Sequence, residues 1–193
     1  MQAELARAVR FVAGADGERS TALSSTSSAA APVGLQAQDA GSAIPGRLVA
    51  PHNYHLTLAF LGGVAQSRFE TVFGVGARCA RAVGAAGSVP ITVTLDALDH
   101  WRKPQVLVAT SSETPPAAAA LSESLKRVLI AEGFSPDLKP FRVHATVARK
   151  VLRVTRELHI EPVRWRFEAL HLIESASGSV YSTLQKWVLD KRD

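Results

Sequence analysis

The tripeptide pattern His-x-Thr occurs at two widely separated positions of this chain, each inside a segment that favours β-structure. The first copy begins at His55 in a predicted strand at 54–61, and the second begins at His144 in a predicted strand at 142–149. Side chains alternate across a strand, so each segment should present an imidazole and a hydroxyl opposite an apolar face. The fold must therefore bury one face of two strands while leaving their polar faces accessible.

The segments around these strands mix hairpins with helices. Apolar residues at helical spacing predict helices over 68–84 and 115–132. Further strands are predicted at 90–98, 105–111, 165–174 and 180–189. The Gly62-Gly63 pair should end the strand at 54–61. This order favours an antiparallel α+β fold over a doubly wound parallel sheet. A chain of 193 residues suits one compact domain, or two small lobes that share a core.

The N-terminal quarter of the chain has a different character. An amphipathic helix is predicted over 2–12, because apolar residues recur there at i, i+3, i+4 and i+7. These residues are Leu5, Ala8, Val9 and Val12. Residues 13–46 are rich in Ser, Ala and Gly and offer little apolar surface to offset the entropy of ordering. We expect this stretch to be a flexible loop.

The composition indicates the cellular location and the charge of possible partners rather than a specific function. Lys and Arg outnumber Asp and Glu by 22 to 17, and this positive balance favours polyanionic partners. No apolar run approaches the ~20 residues of a membrane-spanning helix, and the N-terminal residues lack a secretory signal. The single cysteine, Cys79, excludes an internal disulfide and falls on the apolar stripe of a predicted helix. We expect a cytoplasmic protein with Cys79 buried.

The paired His-x-Thr segments suit the hydrolysis of a phosphodiester. Such a reaction needs a base to take a proton from water and an acid to protonate the departing oxygen, and histidine can do either near neutral pH. Threonine hydroxyls can donate hydrogen bonds to the phosphoryl oxygens. A 2′,3′-cyclic phosphate is already strained, so two histidines can suffice without a metal or cofactor. The spacing alone fits two structural histidines in strands equally well.

For the other candidate residues, a structural role is an alternative to a functional one. His52 and His55 form an H-x-x-H pattern, but residues three apart in a strand point to opposite faces and no further ligands lie nearby, so no metal site is predicted. Tyr54 and Trp101 either stack on nucleobases or pack in the core and turns. The basic pairs at 102–103 and 150–153 either hold an RNA backbone or are solvated. The remaining histidines are expected to lie at the surface or to be structural: His100, His159 and His171.

The residues around the two motifs carry more information than the His-x-Thr spacing alone. HLTLAFLG at 55–62 and HATVARK at 144–150 resemble the paired signatures of the 2H phosphoesterase superfamily. They are most similar to its RNA 2′,3′-cyclic phosphodiesterase branch, long known as 2′-5′ RNA ligase. The resemblance extends over about residues 46–188, through LDALDHWRKPQVLVA, EGFSPDLKPFRVHATVARK and LHLIESASGSVYSTLQKW.

This resemblance implies a single bilobal domain over 1–193, with two antiparallel sheets facing each other across a central cleft and helices on the outside. It implies metal-independent hydrolysis of RNA 2′,3′-cyclic phosphate ends to 2′-phosphomonoesters. His55 would be the general acid and His144 the general base. The substrate phosphate would be bound by Thr57, Thr146 and Arg149. Strict alternation puts Arg149 on the face opposite His144, so it needs a bulge or the strand end to reach the cleft.

The chain also departs from the family pattern, which opens with a strand of the type R-L-F-x-A-L. With a helix predicted over 2–12, we expect that strand to be missing and the edge of its neighbour to be exposed. A divergent or impaired protein would explain such a loss. Two alternatives to the phosphodiesterase remain. One is a catalytically weak protein that binds RNA ends, and the other is a 2H enzyme acting on 2′-5′-linked oligonucleotides. The expected partner is RNA or a nucleotide with a 2′,3′-cyclic phosphate end, bound by a monomer.

Overall fold

The computed structural model describes residues 7–13, 46–155, 157–175 and 181–189. In this part of the chain two α-helices lie among ten strands. The helices are α1 (Phe69–Ala85) and α2 (Pro116–Ala131). The strands are β1 (Arg7–Ala13), β2 (Arg47–Leu48), β3 (Leu56–Val64), β4 (Ile91–Leu95), β5 (Ala97–Trp101), β6 (Val106–Thr110), β7 (His144–Arg149), β8 (Val163–Phe167), β9 (Ala169–Ser175) and β10 (Tyr181–Val188).

The strands form two antiparallel sheets, which confirms the predicted α+β class. The larger sheet has the order β10-β9-β1-β3-β7-β6-β5, with β2 paired to β7, and the smaller sheet joins β4 to β8. Within the larger sheet, β3 and β7 meet through a single residue pair, Leu56 opposite Ala145. We call β10-β9-β1-β3 the first lobe and β7-β6-β5 the second lobe. The two motif strands are therefore the seam between the lobes.

Both predicted helices are confirmed, and they cover the sheet from one side. Helix α1 packs against β9, β10 and α2, while α2 packs against β3. The Ser122 hydroxyl on α2 donates a 2.6 Å hydrogen bond to the carbonyl of Leu58, which ties this helix to the strand of the first motif. Cys79 is buried on α1, as predicted. None of the described helices is both long and apolar enough to cross a membrane.

The N-terminal prediction is wrong where the structure describes it. Residues Arg7–Ala13 form a strand that pairs with β9 on one side and β3 on the other. Val9, Phe11 and Ala13 are fully buried, and their period of two outweighs the helical spacing because neighbouring strands supply the hydrogen bonds. The expectation of a missing first strand is therefore wrong, and the edge of β3 is covered. Residues 2–6 and most of the predicted flexible loop at 13–46 lie outside the described residues.

Three strand boundaries also differ from the sequence-based expectation. The segments 90–98 and 165–174 are each divided in two, at Asp96 and Glu168, and the first part of each joins the smaller sheet. The Asp96 carboxylate accepts hydrogen bonds from the backbone N–H and the hydroxyl of Ser112, which fixes this corner. The Gly62-Gly63 pair does not end the first motif strand, because Gly62 adopts a φ of 74° within an irregular stretch of β3.

Candidate active site

The two motifs lie side by side at the seam. Because Leu56 pairs with Ala145 in antiparallel register, His55 stands level with Thr146, and Thr57 stands level with His144. Leu56 and Ala145 are buried, whereas the four motif side chains are partly accessible. Side chains level with each other in neighbouring strands share a face. The fold thus brings both imidazoles and both hydroxyls onto one face.

Each motif is followed by a β-bulge at the residue after its threonine. In β3 the pairing with β1 skips Leu58, and in β7 the pairing with β6 skips Val147. Both Val147 and Ala148 are buried, so two consecutive residues occupy one position of the alternation. This bulge turns Arg149 onto the face of His144. The structure therefore supplies the irregularity that Arg149 needs to reach the cleft.

The ring of each motif histidine is held in the same way. The Nδ1 atom of His55 lies 2.8 Å from the carbonyl oxygen of Asn53, and the Nδ1 atom of His144 lies 2.8 Å from that of Arg142. A carbonyl can only accept, so Nδ1 carries the proton in both rings. In each neutral imidazole the Nε2 atom then keeps its lone pair. Each histidine is thus oriented with one nitrogen available for proton transfer.

His55 lies among cations and one aromatic ring. Its ring packs edge-on against Tyr181, with 4.9 Å between ring centroids. Arg149 crosses the seam and donates a 2.5 Å hydrogen bond from Nη2 to the Tyr181 hydroxyl. Burial, together with the charges of Arg10, Arg149 and protonated His144, lowers the pKa of His55 from 6.5 to about 4 against the opposing Asn53 hydrogen bond. In the unliganded protein His55 is therefore neutral at pH 7.

His144 has fewer basic neighbours that affect its pKa than His55 has. Its ring contacts Trp101, with 4.6 Å between centroids, and the Trp101 indole N–H donates a 2.9 Å hydrogen bond to Asp99. Burial is the main cause that lowers the pKa of His144, and the charge of Arg142 adds to it. Trp101 thus lies against a motif histidine and also lines the groove beside it.

Two residues at this site were missed by the sequence analysis, Arg10 and Tyr181. The Arg10 guanidinium lies over the Phe60 ring at 5.2 Å and over the Tyr181 ring at 5.5 Å. A signal for β1 was present, because Phe11-Val12-Ala13 fits the F-x-A of the family's opening pattern. In that alignment Arg10 replaces the leucine of the pattern. No comparable signal marked Tyr181, because its approach to His55 depends on the order of the strands.

A groove of about 1120 Å³ lies beside Thr57 and His144, between β1 and β3 on one side and the segments 101–104 and 137–142 on the other. Its walls combine aromatic and basic side chains, and the acidic residue among them, Asp137, bonds to Lys139. The cationic and aromatic members include Arg10, Phe60, Trp101, Arg102, Lys103 and Arg142. Of the two predicted basic pairs, the one at 102–103 lines this groove, whereas Lys150 and Arg153 are exposed outside its walls. The groove can accommodate an extended polyanion.

The remaining candidates lie apart from this face. His52 is exposed in the turn before β3, and Tyr54 packs against the hydrophobic core. His100 bonds through Nε2 to the carbonyl of Val151, and His159 is exposed beside Glu157. Across the described ranges, no three His, Cys, Asp or Glu side chains are placed so that they could hold a metal ion.

Comparisons with known proteins agree with this architecture. An RNA 2′,3′-cyclic phosphodiesterase of Geobacillus stearothermophilus is 35% identical over 120 residues, which cover 58% of this chain and 35% of that protein. The match thus spans about a third of the length of this relative. An RNA 2′,3′-cyclic phosphodiesterase of Escherichia coli K12 is 28% identical over 151 residues, covering 75% of this chain and 80% of that protein.

A solved structure shares the fold over nearly its whole length. The crystal structure of E. coli LigT complexed with 3′-AMP superimposes with a TM-score of 0.69 and 22% identity, covering 96% of this chain and 99% of that one. The family model described as the 2′-5′ RNA ligase superfamily matches residues 31–179, which include both motif strands. With its paired His-x-Thr strands at the seam of two lobes, this chain belongs to the 2′-5′ RNA ligase superfamily of 2H phosphoesterases.

Proposed function

We propose that this protein hydrolyses 2′,3′-cyclic phosphodiester ends of RNA to 2′-phosphomonoesters by acid–base catalysis between His55 and His144, without a metal. The observation that carries the proposal is the matched geometry of the two histidines. Both occupy one face at the seam, and both are held through Nδ1 so that Nε2 is available. Two groups that can exchange protons on one face meet the needs of in-line displacement at phosphorus.

The phosphate would lie between the two motifs. Thr57 and Thr146 flank this space at the level of the opposite histidines, and their hydroxyls would donate to the phosphoryl oxygens. Arg149 reaches the same face through the bulge at Val147 and supplies a full positive charge. Hydrogen bonds from a guanidinium to a phosphate are stronger than those between neutral groups.

In the reaction, a water oxygen attacks phosphorus while the Nε2 atom of His144 takes a proton from that water. The bond between phosphorus and the 3′ oxygen breaks, and the Nε2–H of His55 donates its proton to this leaving oxygen. The products are a 2′-phosphomonoester and a free 3′ hydroxyl. One proton enters His144 and one leaves His55, so solvent exchange restores the starting state.

The acid role requires that His55 be protonated when the substrate is bound. Its pKa of about 4 in the unliganded protein reflects burial beside Arg10 and Arg149. An anionic phosphate placed against these guanidiniums offsets their charge and raises the pKa of His55. The substrate itself would therefore prepare the general acid. We expect a bell-shaped dependence of kcat on pH for the bound complex.

An RNA end is the substrate class that best fits the surroundings. The basic and aromatic groove beside Thr57 and His144 offers cations for phosphates and rings for bases. Two relatives are named RNA 2′,3′-cyclic phosphodiesterases, and LigT binds 3′-AMP. These names support the same substrate for this chain.

The test is turnover of a 2′,3′-cyclic nucleotide in the presence of EDTA. We expect His55→Ala and His144→Ala each to reduce kcat by roughly 10²- to 10⁴-fold, the range of general acid–base contributions. His159→Ala, at an exposed histidine, serves as the matched control and should retain activity. Binding of an RNA end by the wild type without turnover would favour the end-binding protein instead. Turnover of 2′-5′-linked oligonucleotides alone would favour the other alternative.

A further inference from the structure

Arg10 occupies an unusual position for an arginine. It lies on β1, the strand between β9 and β3, with the fully buried Val9 and Phe11 on either side. In the β1–β3 register Arg10 stands level with Phe60, which shares its face with Thr57 because of the bulge at Leu58. The Arg10 side chain therefore points to the motif face rather than into the core. It also lines the groove beside Thr57.

Arg10 and Arg149 converge on the same aromatic ring. Tyr181 has the Arg10 guanidinium over its ring at 5.5 Å and receives a hydrogen bond from Arg149 on its hydroxyl. The same ring contacts His55. Burial lowers the pKa of Arg10, and the charge of the nearby Arg149 guanidinium also lowers it. Two cations from different lobes thus flank one histidine.

Neither of these guanidiniums has an anionic partner within the described ranges. The Nε atoms of Arg10 and Arg149 are buried and make no hydrogen bond to any described group. Arg7, three residues earlier on the same strand, bonds to the carboxylate of Glu174 instead. Burying like charges together without a counter-charge is costly, so such a pair is favourable only when an anion fills the space between them.

We propose that Arg10 and Arg149 form a two-guanidinium clamp that holds the reacting phosphate on the His55 side of the site. This inference rests on the proposed function and adds Arg10 as a substrate-binding residue. A guanidinium presents Nε and Nη donors in a fixed fork that matches two phosphate oxygens. The unpaired Nε atoms of both arginines are donors for such forks.

The binding test compares Arg10→Met with Arg7→Met, a matched substitution on the same strand. Calorimetric titration uses two probes, inorganic phosphate and adenosine 2′-monophosphate. Arg10→Met should weaken the binding of both by roughly ten- to a hundredfold, the value of hydrogen bonds to a charged group. Arg10→Lys keeps the charge but loses the fork, so it should recover only part of the affinity. Arg7→Met should bind like the wild type. Unchanged binding in Arg10→Met would overturn the clamp.

A kinetic test identifies which phosphate is held. Adenosine 2′,3′-cyclic phosphate has only the reacting phosphate, whereas a dinucleotide with the same end has a linking phosphate as well. The clamp requires that Arg10→Met raise KM for both substrates by similar factors. An increase confined to the dinucleotide would place Arg10 on the linking phosphate and overturn the proposal.

A measurement on the wild type keeps the proposal testable if Arg10→Met does not fold. Inorganic phosphate should shift the Nε–H NMR signals of Arg10 and Arg149 and leave that of Arg7 unchanged. An unshifted Arg10 signal under saturating phosphate would refute the clamp. This readout is independent of catalysis. A wild type that binds phosphate through Arg10 but turns over no cyclic nucleotide would refute the proposed function and leave the clamp intact.

Discussion

The two lobes contain the same local arrangement of residues, but the electrostatic environments of the two histidines differ. Each contributes a histidine held through Nδ1 by the carbonyl two residues earlier, a threonine two residues later, and a bulge directly after it. Each histidine also contacts one aromatic ring, Tyr181 for His55 and Trp101 for His144. The local sequence thus gives the same geometry twice.

The difference lies in what other strands bring to each motif. The pKa of His55 is lowered to about 4 by burial and by three basic neighbours, two of which, Arg149 and His144, come from the partner lobe. His144 has its pKa lowered by burial and by Arg142 alone among nearby cations. Two motifs with the same local geometry therefore have histidines with different pKa shifts, because residues distant in sequence surround them differently. The low pKa of unliganded His55 opposes an acid role, so the proposed division into acid and base requires a bound phosphate anion to raise it.

The largest effect that separates the lobes is expected for Arg149→Met. Arg149 belongs to the His144 strand, yet its guanidinium lies beside His55 and bonds to Tyr181. Loss of a charged donor to the transition state should lower kcat/KM for a 2′,3′-cyclic nucleotide by about a hundredfold. In NMR titrations the pKa of His55 should rise in the same variant, because a cation has been removed, while that of His144 stays unchanged.

Arg166→Met provides the control, because Arg166 is exposed on the smaller sheet and pairs with Glu168. If Arg149→Met shifted the pKa of His144 rather than that of His55, the assignment of Arg149 to the first lobe's histidine would be wrong.

A second prediction concerns stability against pH. The pKa of folded His55 lies below its unfolded value, so the unfolded chain binds the proton more readily. The contribution of neutral His55 to stability is complete above about pH 6.5 and is lost as the pH falls towards 4. Between pH 7 and pH 5 the wild type should lose about 1–2 kcal/mol more unfolding free energy than His55→Ala.

Urea unfolding followed by tryptophan fluorescence measures this difference. His144→Ala should also flatten the loss between pH 7 and pH 5, but by less than His55→Ala, because the environment of His144 holds fewer cations. An equal or larger effect of His144→Ala would abolish the proposed inequality between the two histidines.

Local pattern predicts much of the fold but misassigns β1. The helices at 69–85 and 116–131 were recoverable because long amphipathic stripes are unambiguous. In Arg7–Ala13 the apolar residues fit both the helical period and the strand period. The segment is a strand because it pairs with β9 and β3, which lie far away in sequence. The division of 90–98 at Asp96 likewise depends on pairing with β8, which cannot be inferred from the local sequence.

The same distinction applies to the candidate site. His55, His144 and the two motif threonines could be grouped from the sequence because each pair repeats one pattern on a strand. Their meeting on one face depends on the single pairing of Leu56 with Ala145. The face of Arg149 depends on a bulge, and the approach of Arg10 and Tyr181 to His55 depends on strand order. None of these has a local signature.

The smallest effects are expected from the aromatic neighbours, and they test whether the two settings differ beyond charge. Tyr181→Phe keeps a ring against His55 but removes the hydroxyl that accepts from Arg149, so kcat/KM should fall about threefold to tenfold. Trp101→Phe keeps a ring against His144 and removes only the bond from the indole to the exposed Asp99. Its effect should stay below about threefold, because that bond joins no group of the proposed reaction. Steady-state rates with a cyclic mononucleotide measure both. A larger loss for Trp101→Phe would mean that the ring beside His144 positions the substrate, and the charged neighbours of His55 would then not be the main difference between the lobes.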